Sequence, residues 1–204
     1  MDTLLKALLP VSRAIDATNR WIGKHLAWLI LAAVVISATN AVVRKLFDMS
    51  SNSWLELQWV LFSVVFLGCA PWTLLDNEHI RIDIVNNALP RWLRDTIEVV
   101  GHVLFLLPLT IVMMVTALPF FLRSLRIDEQ SGNAGGLPQW PAKSLVFLGF
   151  ALLFFQAISE LVKRLAVIRG LIPDPHARGV SSAEAEAERL LAGLKPEAEE
   201  RGGI

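Results

Sequence analysis

Cysteine occurs once in this chain, at Cys69, and histidine four times. A lone thiol cannot close an internal disulfide, and no Cys/His spacing suits a zinc site, so Cys69 reads as a small apolar filler inside an apolar run. Neither sign of charge is in excess: nineteen basic residues face nineteen acidic ones. The electrostatic footprint of a nucleic-acid partner is therefore missing. The first ten residues, MDTLLKALLP, carry two charges and a proline. They make a poor cleavable leader, and the first long apolar run reads as a retained span. No internal repeat is visible. Charge is also missing from the middle of every long apolar run.

Those runs lie at about 22–43, 54–75, 97–122 and 142–162. Each exceeds the roughly 20 helical residues that cross a ~30 Å hydrocarbon core. The chain is 54% hydrophobic, only a little above soluble domains; the segregation of charge between the runs decides the class. The expected fold is an all-α integral membrane protein with four transmembrane helices in residues 22–170. Residues 1–21 are expected to form an N-terminal interfacial amphipathic segment, and residues 171–204 a flexible cytoplasmic tail. In the first segment Leu4, Leu8, Val11 and Ile15 share a face, with Pro10 expected to break or kink the helix. Ser53 is placed to cap the second span. In the tail, Ser181 and Glu184 have capping-box spacing.

Lys and Arg near the span ends set the orientation. The N-terminal segment, the connection at 76–95 and the segment after the fourth span carry eleven; the opposite side carries five, Arg44, Lys45, Arg123, Arg126 and Lys143. Both termini are expected to be cytoplasmic. Trp21, Trp54 and Trp92, with Arg91 and Arg94, are expected to anchor the chain among phospholipid headgroups.

Ionisable residues inside spans mark transport paths, because a central charge costs about 2.5–3.5 kcal/mol on insertion scales. Here Lys24, His25, Glu56, Glu98, His102 and Glu160 all sit near span ends. A carrier working alone needs polar groups near the midplane and broken helices around them; neither is visible. A homo-oligomeric channel needs a polar or small-residue stripe along a whole span, which none of the four shows. A haem-binding or electron-transfer protein is the alternative class, and it needs facing histidines. Glu56 and Trp59 lie one turn apart, suited either to an interface anchor or to a partner helix. Gln156 and Glu160, four apart, must face the bundle or another subunit. His79 and Asp83 share a helical face without a third metal ligand, so no metal site is expected. In DNEHIRIDIVNNALPRWLRD, Ile80, Ile84 and Ala88 align on one face, which predicts a second interfacial helix between spans two and three.

Three of these segments carry a resemblance. Trp54-Leu55-Glu56-Leu57-Gln58-Trp59 leads into an apolar span, Glu78-His79-Ile80-Arg81-Ile82-Asp83 is similar to a His-Val-Arg-Val-Asp-type motif, and Gly135-Gly136-Leu137-Pro138-Gln139-Trp140-Pro141 precedes the fourth span. Together, over about residues 15–170, they resemble the small membrane subunit of tripartite ATP-independent periplasmic (TRAP) transporters, the DctQ-like family. The resemblance implies a multi-pass protein of the bacterial inner membrane that is not an enzyme and holds no cofactor or metal. It implies two partners. One is a large, DctM-like elevator subunit that carries the sodium and substrate sites. The other is a periplasmic, DctP-like binding protein that delivers an organic acid. The small subunit then acts as scaffold. Glu56, Trp59, His79, Arg81, Asp83, Gln156 and Glu160 become candidates for subunit contacts or polar links within the bundle. Gly136, Pro138 and Trp140 become candidates for touching the binding protein.

Overall fold

The computed structural model describes residues 2–48, 51–76 and 90–173, with only the backbone of Arg91. Among these residues every element is helical: α1 (Asp2–Ala27), α2 (Leu29–Phe47), α3 (Asn52–Leu75), α4 (Arg91–Val100), a π-helical turn (Gly101–Leu106), α5 (Leu107–Arg126) and α6 (Trp140–Ile168). Four helical stretches are long and apolar enough to cross a membrane: Asp2–Phe47, Asn52–Leu75, Trp92–Arg126 and Trp140–Ile168. They contain the four apolar runs and extend beyond most of their ends.

The distribution of side chains is that of a protein solvated by lipid. Large apolar residues lie outside, among them Phe66 at 78% exposure and Phe105 at 72%, while the buried positions are mostly small or polar. In hydrocarbon, exposing Phe or Val costs nothing; helices associate instead where small residues let backbones approach. On α1 the buried residues are Leu5, Ser12, Asn19 and Gly23, and on α5 they are Thr110, Ala117 and Ser124. Both stripes contain the seven-residue spacing of a helix seam.

α1 runs antiparallel to α6, since Asp2 lies 3.5 Å from Arg169 and Asn19 bonds Gln156. It also runs antiparallel to α3, where Arg20 meets Asp76 and Leu26 meets Gly68. The hairpin partner α5 covers another side of α6, and α2 packs on α3. Only the turn at Trp28 interrupts the helix from Asp2 to Phe47. The N-terminal segment is thus the start of this long helix, packed on α3 and α6. Its buried line is Leu5, Ser12, Asn19 and Gly23, and the apolar face of Leu4, Leu8 and Val11 is left exposed. Pro10 does not break the helix. The carbonyl it leaves without a donor belongs to Lys6, an exposed position where other donors can serve it.

Two other prolines have visible consequences. Pro108 cannot donate to the carbonyl four residues back, and the chain widens into the π-helical turn just before it. There the Leu107 amide bonds the His102 carbonyl, five residues earlier. Pro71 likewise leaves the Leu67 carbonyl without its helical donor. That carbonyl lies against Gly149 of α6, where a Cβ would come within 3.1 Å of its oxygen.

Glycine allows the closest crossing. At Gly23 an added Cβ would lie 2.5 Å from Trp72 Cε3 and 2.9 Å from Trp72 Cβ, whereas at Gly68 it would meet chiefly the flexible tip of Leu26. Gly23→Ala should therefore lower stability by about 1–3 kcal/mol through overpacking. Gly68→Ala should change it by less than half as much. Unfolding midpoints of the two variants in the same detergent check the order; equal midpoints would mean that α1 does not sit on Trp72 as described.

Candidate functional site

The bonded polar side chains of the bundle form three main groups, each near an end of one of the apolar runs. The largest joins α1 to α6. On α1, Ser12, Asp16 and Asn19 are spaced by four and three residues; on α6, Gln156, Ser159, Glu160 and Lys163 follow the same helical spacing. Each set therefore shares one face, and the two faces meet. Asp16 Oδ1 accepts from Gln156 Nε2 at 2.9 Å and from Ser159 Oγ at 2.8 Å. Lys163 Nζ lies between Asp16 Oδ2, at 2.8 Å, and Glu160 Oε1, at 2.6 Å. Gln156 Nε2 also donates to Glu160 Oε1 at 2.8 Å. With its amide nitrogen committed to two carboxylates, Gln156 presents Oε1 to Asn19 Nδ2 at 2.7 Å. The hydroxyls of Ser12 and Ser159 are 2.6 Å apart. Gln156 is wholly buried and Asn19 nearly so. Asn19 Oδ1 is the one atom of this network left without a partner among the described residues. Charge-paired networks of this kind fix helix register, since any slip leaves a charge without its partner in a poor dielectric.

The second group holds a turn. α5 ends on a left-handed Asp128, with the Glu129 amide bonding the Ser124 carbonyl five residues back at 3.0 Å. The chain then folds over as a short hairpin, with the Gln139 amide on the Glu129 carbonyl at 2.8 Å and the Ser131 amide on the Leu137 carbonyl at 3.2 Å. Glu56, in the second turn of α3 and 7% exposed, holds this hairpin. Its Oε1 accepts from the Ser131 hydroxyl and from Asn133 Nδ2 at 2.8 Å, and its Oε2 from the Leu137 amide at 2.6 Å. Gly136 permits the approach, because a Cβ there would lie 2.7 Å from Glu56 Oε1. Asn52 Nδ2 and the Ser53 hydroxyl donate to the carbonyls of Ala134 and Gly135. Ser53 is therefore not the helix cap suggested by its position. α3 begins one residue earlier, at Asn52, and the hydroxyl is taken up by the turn. Beside the turn, Lys143 pairs with Glu129 and lies 4.2 Å over the Phe120 ring. The Lys143 ammonium and the Ser124 hydroxyl hold the Glu129 carboxyl below its usual range.

The third group ties α4 to α6. Arg164 reaches Asp95 at 2.8 Å and Glu98 at 2.7 Å. Arg164 is 13% exposed.

Glu56, Gln156 and Glu160 are thus bonded within this chain. Trp59 differs: it is 62% exposed and turned away from the core. Of the suggested membrane anchors, Trp21, Trp54 and Trp92 are exposed and Arg94 is half-buried, while the Arg91 side chain is outside the described residues. Gly136 supports the clasp, Pro138 is exposed in a bridge with Gln130, and Trp140 starts α6 half-buried. His79, Arg81 and Asp83, with the amphipathic stretch around them, lie outside the described residues, as does the tail from residue 174. His25 and His102 each engage through Nδ1 a carbonyl of their own helix, that of Trp21 at 2.7 Å and that of Glu98 at 2.8 Å. Sequence reasoning missed Ser12, Asp16, Asn19, Ser159 and Lys163. Their signal is two polar stripes at helical spacing, Ser12, Asp16 and Asn19 on α1 and Gln156, Ser159, Glu160 and Lys163 on α6.

Among the described residues, no cluster of three or more His, Cys, Asp or Glu is placed to hold a metal ion. The buried and half-buried acidic side chains of the three groups are each bonded, to a cation or to the turn. No curated protein and no solved structure matches the chain. A family model does match, over residues 20–167, and its description is the DctQ component of tripartite ATP-independent periplasmic transporters. The match takes in all four spans, from the last turns of α1 to the end of α6, and the chain belongs to the DctQ family as the small membrane subunit of a TRAP transporter.

Proposed function

We propose that this subunit is the stationary brace of its transporter. It would pack beside a large elevator-type subunit that carries out sodium-driven uptake of an organic acid delivered by a periplasmic binding protein. The observation that carries this reading is the placement of polarity. The charged side chains that reach the bundle lie near the ends of the apolar runs, where Asp16, Glu160 and Lys163, and Arg164 with Asp95 and Glu98, are bonded to one another and Glu56 is bonded to the turn. Buried Thr110, within the third span, bonds the carbonyl of Leu107 on its own helix. A solute path would need polar groups held ready near the midplane. A brace needs rigidity and a lipid-compatible surface, and the α1–α6 network and Gly-lined crossings supply the first. An elevator mechanism requires one part to stay still while another slides, so a larger stationary unit resists tilting.

By the excess of Lys and Arg, the side holding the start of α1 and the end of α6 is cytoplasmic, and the Glu56 clasp faces the periplasm of a bacterial inner membrane. The turn held by Glu56, with Gly136, Pro138 and Trp140, is then on the side from which a binding protein arrives. Arg81 and Asp83 would fix the segment between the second and third spans, as a pair or to the large subunit. Arg81→Ala and Asp83→Ala are expected to lower sodium-driven uptake severalfold together with co-purification of the large subunit. If both readouts stay at wild-type values, these residues have no bracing role.

A further inference from the structure

Beside the clasp, the outer end of α3 and the start of α6 enclose a groove of about 310 Å³, lined by Glu56, Trp59, Ser63, Leu137, Pro138 and Gln139 among others. Three features of it are not explained by the fold. First, the Glu56 carboxylate is satisfied only by neutral donors, a hydroxyl, an amide side chain and a backbone amide, and no cation of the described residues pairs with it. A carboxylate kept 7% exposed at the edge of a low-dielectric region retains a strong attraction for one cation. The nearby ammonium of Lys143 does not meet that demand, because it is committed to Glu129 and the Phe120 ring. Second, Trp59 presents its ring at 62% exposure one turn below the carboxylate. An indole face beside a fixed carboxylate is the pairing that recognises ammonium groups. Third, the half-buried Gln139 lines the groove, and its side-chain amide makes no hydrogen bond among the described residues.

We infer that this groove binds the headgroup of phosphatidylethanolamine, with the primary ammonium between Glu56 and Trp59 and the Gln139 amide donating to the phosphate. A lipid fits better than a basic side chain from another protein because the lining changes character with depth. Polar groups sit at the level of Glu56 and the turn. Below them α3 continues as exposed apolar surface, Trp59, Phe62 and Phe66 at three- and four-residue spacing. Acyl chains attached to the headgroup would lie along that strip, whereas a lysine or arginine would use the upper part alone. The inference rests on α3 crossing the membrane and does not depend on the brace reading.

The test is native mass spectrometry of the full chain in detergent, supplied with equal amounts of dioleoyl phosphatidylethanolamine and dioleoyl phosphatidylglycerol. The two share phosphate and chains and differ in the ammonium. Phosphatidylethanolamine should be retained about fivefold over phosphatidylglycerol, and Trp59→Leu should abolish that preference while leaving the unfolding midpoint unchanged, since the ring is outside the core. Equal retention of the two lipids, or an unaltered preference in Trp59→Leu, overturns the inference. The measurement is repeated on the complex purified with its large subunit. Persistence of the preference supports the lipid assignment; its loss there would mean that a basic side chain of the partner fills the groove, and the lipid assignment would fall.

Discussion

Lys163→Met is expected to destabilise the subunit by about 3 kcal/mol, the largest single effect in the molecule. Lys163 is the only cation of the α1–α6 network, and Asp16 and Glu160 both depend on it. The three side chains are between 10% and 16% exposed. Hydrogen bonds between membrane helices typically contribute only about 0.6 kcal/mol, and rarely more than about 1.7. Loss of bonding alone would thus be a modest effect. Most of the destabilisation comes from the two carboxylates left facing each other without a counter-charge, and breaking a buried pair this way costs about 3–5 kcal/mol. The same reasoning gives Asp16→Asn a much smaller penalty, about 1 kcal/mol, because Lys163 keeps Glu160 and no charge is orphaned. Adding Asp16→Asn to Lys163→Met should recover part of the loss by removing one of the stranded charges. Unfolding in mixed detergent and SDS reads all three. A Lys163→Met midpoint matching that of Asp16→Asn would mean that the network does not hold α1 to α6.

Glu56→Gln is expected to be nearly as harmful to the clasp as Glu56→Ala, although it looks conservative. Hydrogen bonds to a charged group contribute roughly 1.5–3 kcal/mol, and a buried donor left unpaired adds its own penalty. The carboxylate receives donors at both oxygens: Ser131 and Asn133 at Oε1, the Leu137 amide at Oε2. A glutamine has one oxygen, so in either orientation its NH₂ confronts another donor. The hairpin from Glu129 to Gln139 should then come away from α3, and limited proteolysis should cut near its exposed tip, Gly132–Gly135, at least about tenfold faster. Gly136→Ala should act in the same direction, since its Cβ would meet Glu56 Oε1 at 2.7 Å. Trp59→Leu, on the same helix but outside the clasp, should leave the cutting rate unchanged. A Glu56→Gln protein as protease-resistant as the wild type would show that the turn is held by something else.

The fold was legible where length and hydrophobicity decide it. Four apolar runs without central charge leave few alternatives to four spanning helices, and the family resemblance rested on short motifs in the loops between them. Helix continuity was harder to read. Pro10 looked like a breaker because proline removes one hydrogen bond and crowds one carbonyl, but a single loss at an exposed position does not outweigh the packing of α1 on two neighbours. The same composition hid the buried face of α1. Leu4, Leu8 and Val11 marked a face for the membrane interface and left the packing face unassigned. That face is the smaller and more polar stripe of Ser12, Asn19 and Gly23. The candidate site was half legible for a related reason. A glutamate near a span end announces that it has a partner, but a sequence does not say on which helix. Glu56 found its partners 75 to 81 residues away in a turn, and Gln156 found Asp16 140 residues back, while Glu160 is bonded on its own helix to Gln156 and Lys163. Such pairings depend on which faces meet, and only the tertiary arrangement supplies that.

The most direct test of the brace reading is transport by the subunit alone. The purified full chain is reconstituted into sealed liposomes, a sodium gradient is imposed, and uptake of labelled organic acids is followed with and without the binding protein. The lone chain should give the rate of empty liposomes, and uptake should appear only when the large subunit is reconstituted beside it. Sodium-dependent accumulation by this polypeptide alone would contradict the reading at its root, because it would require a polar path through helices that bond their charged groups to one another.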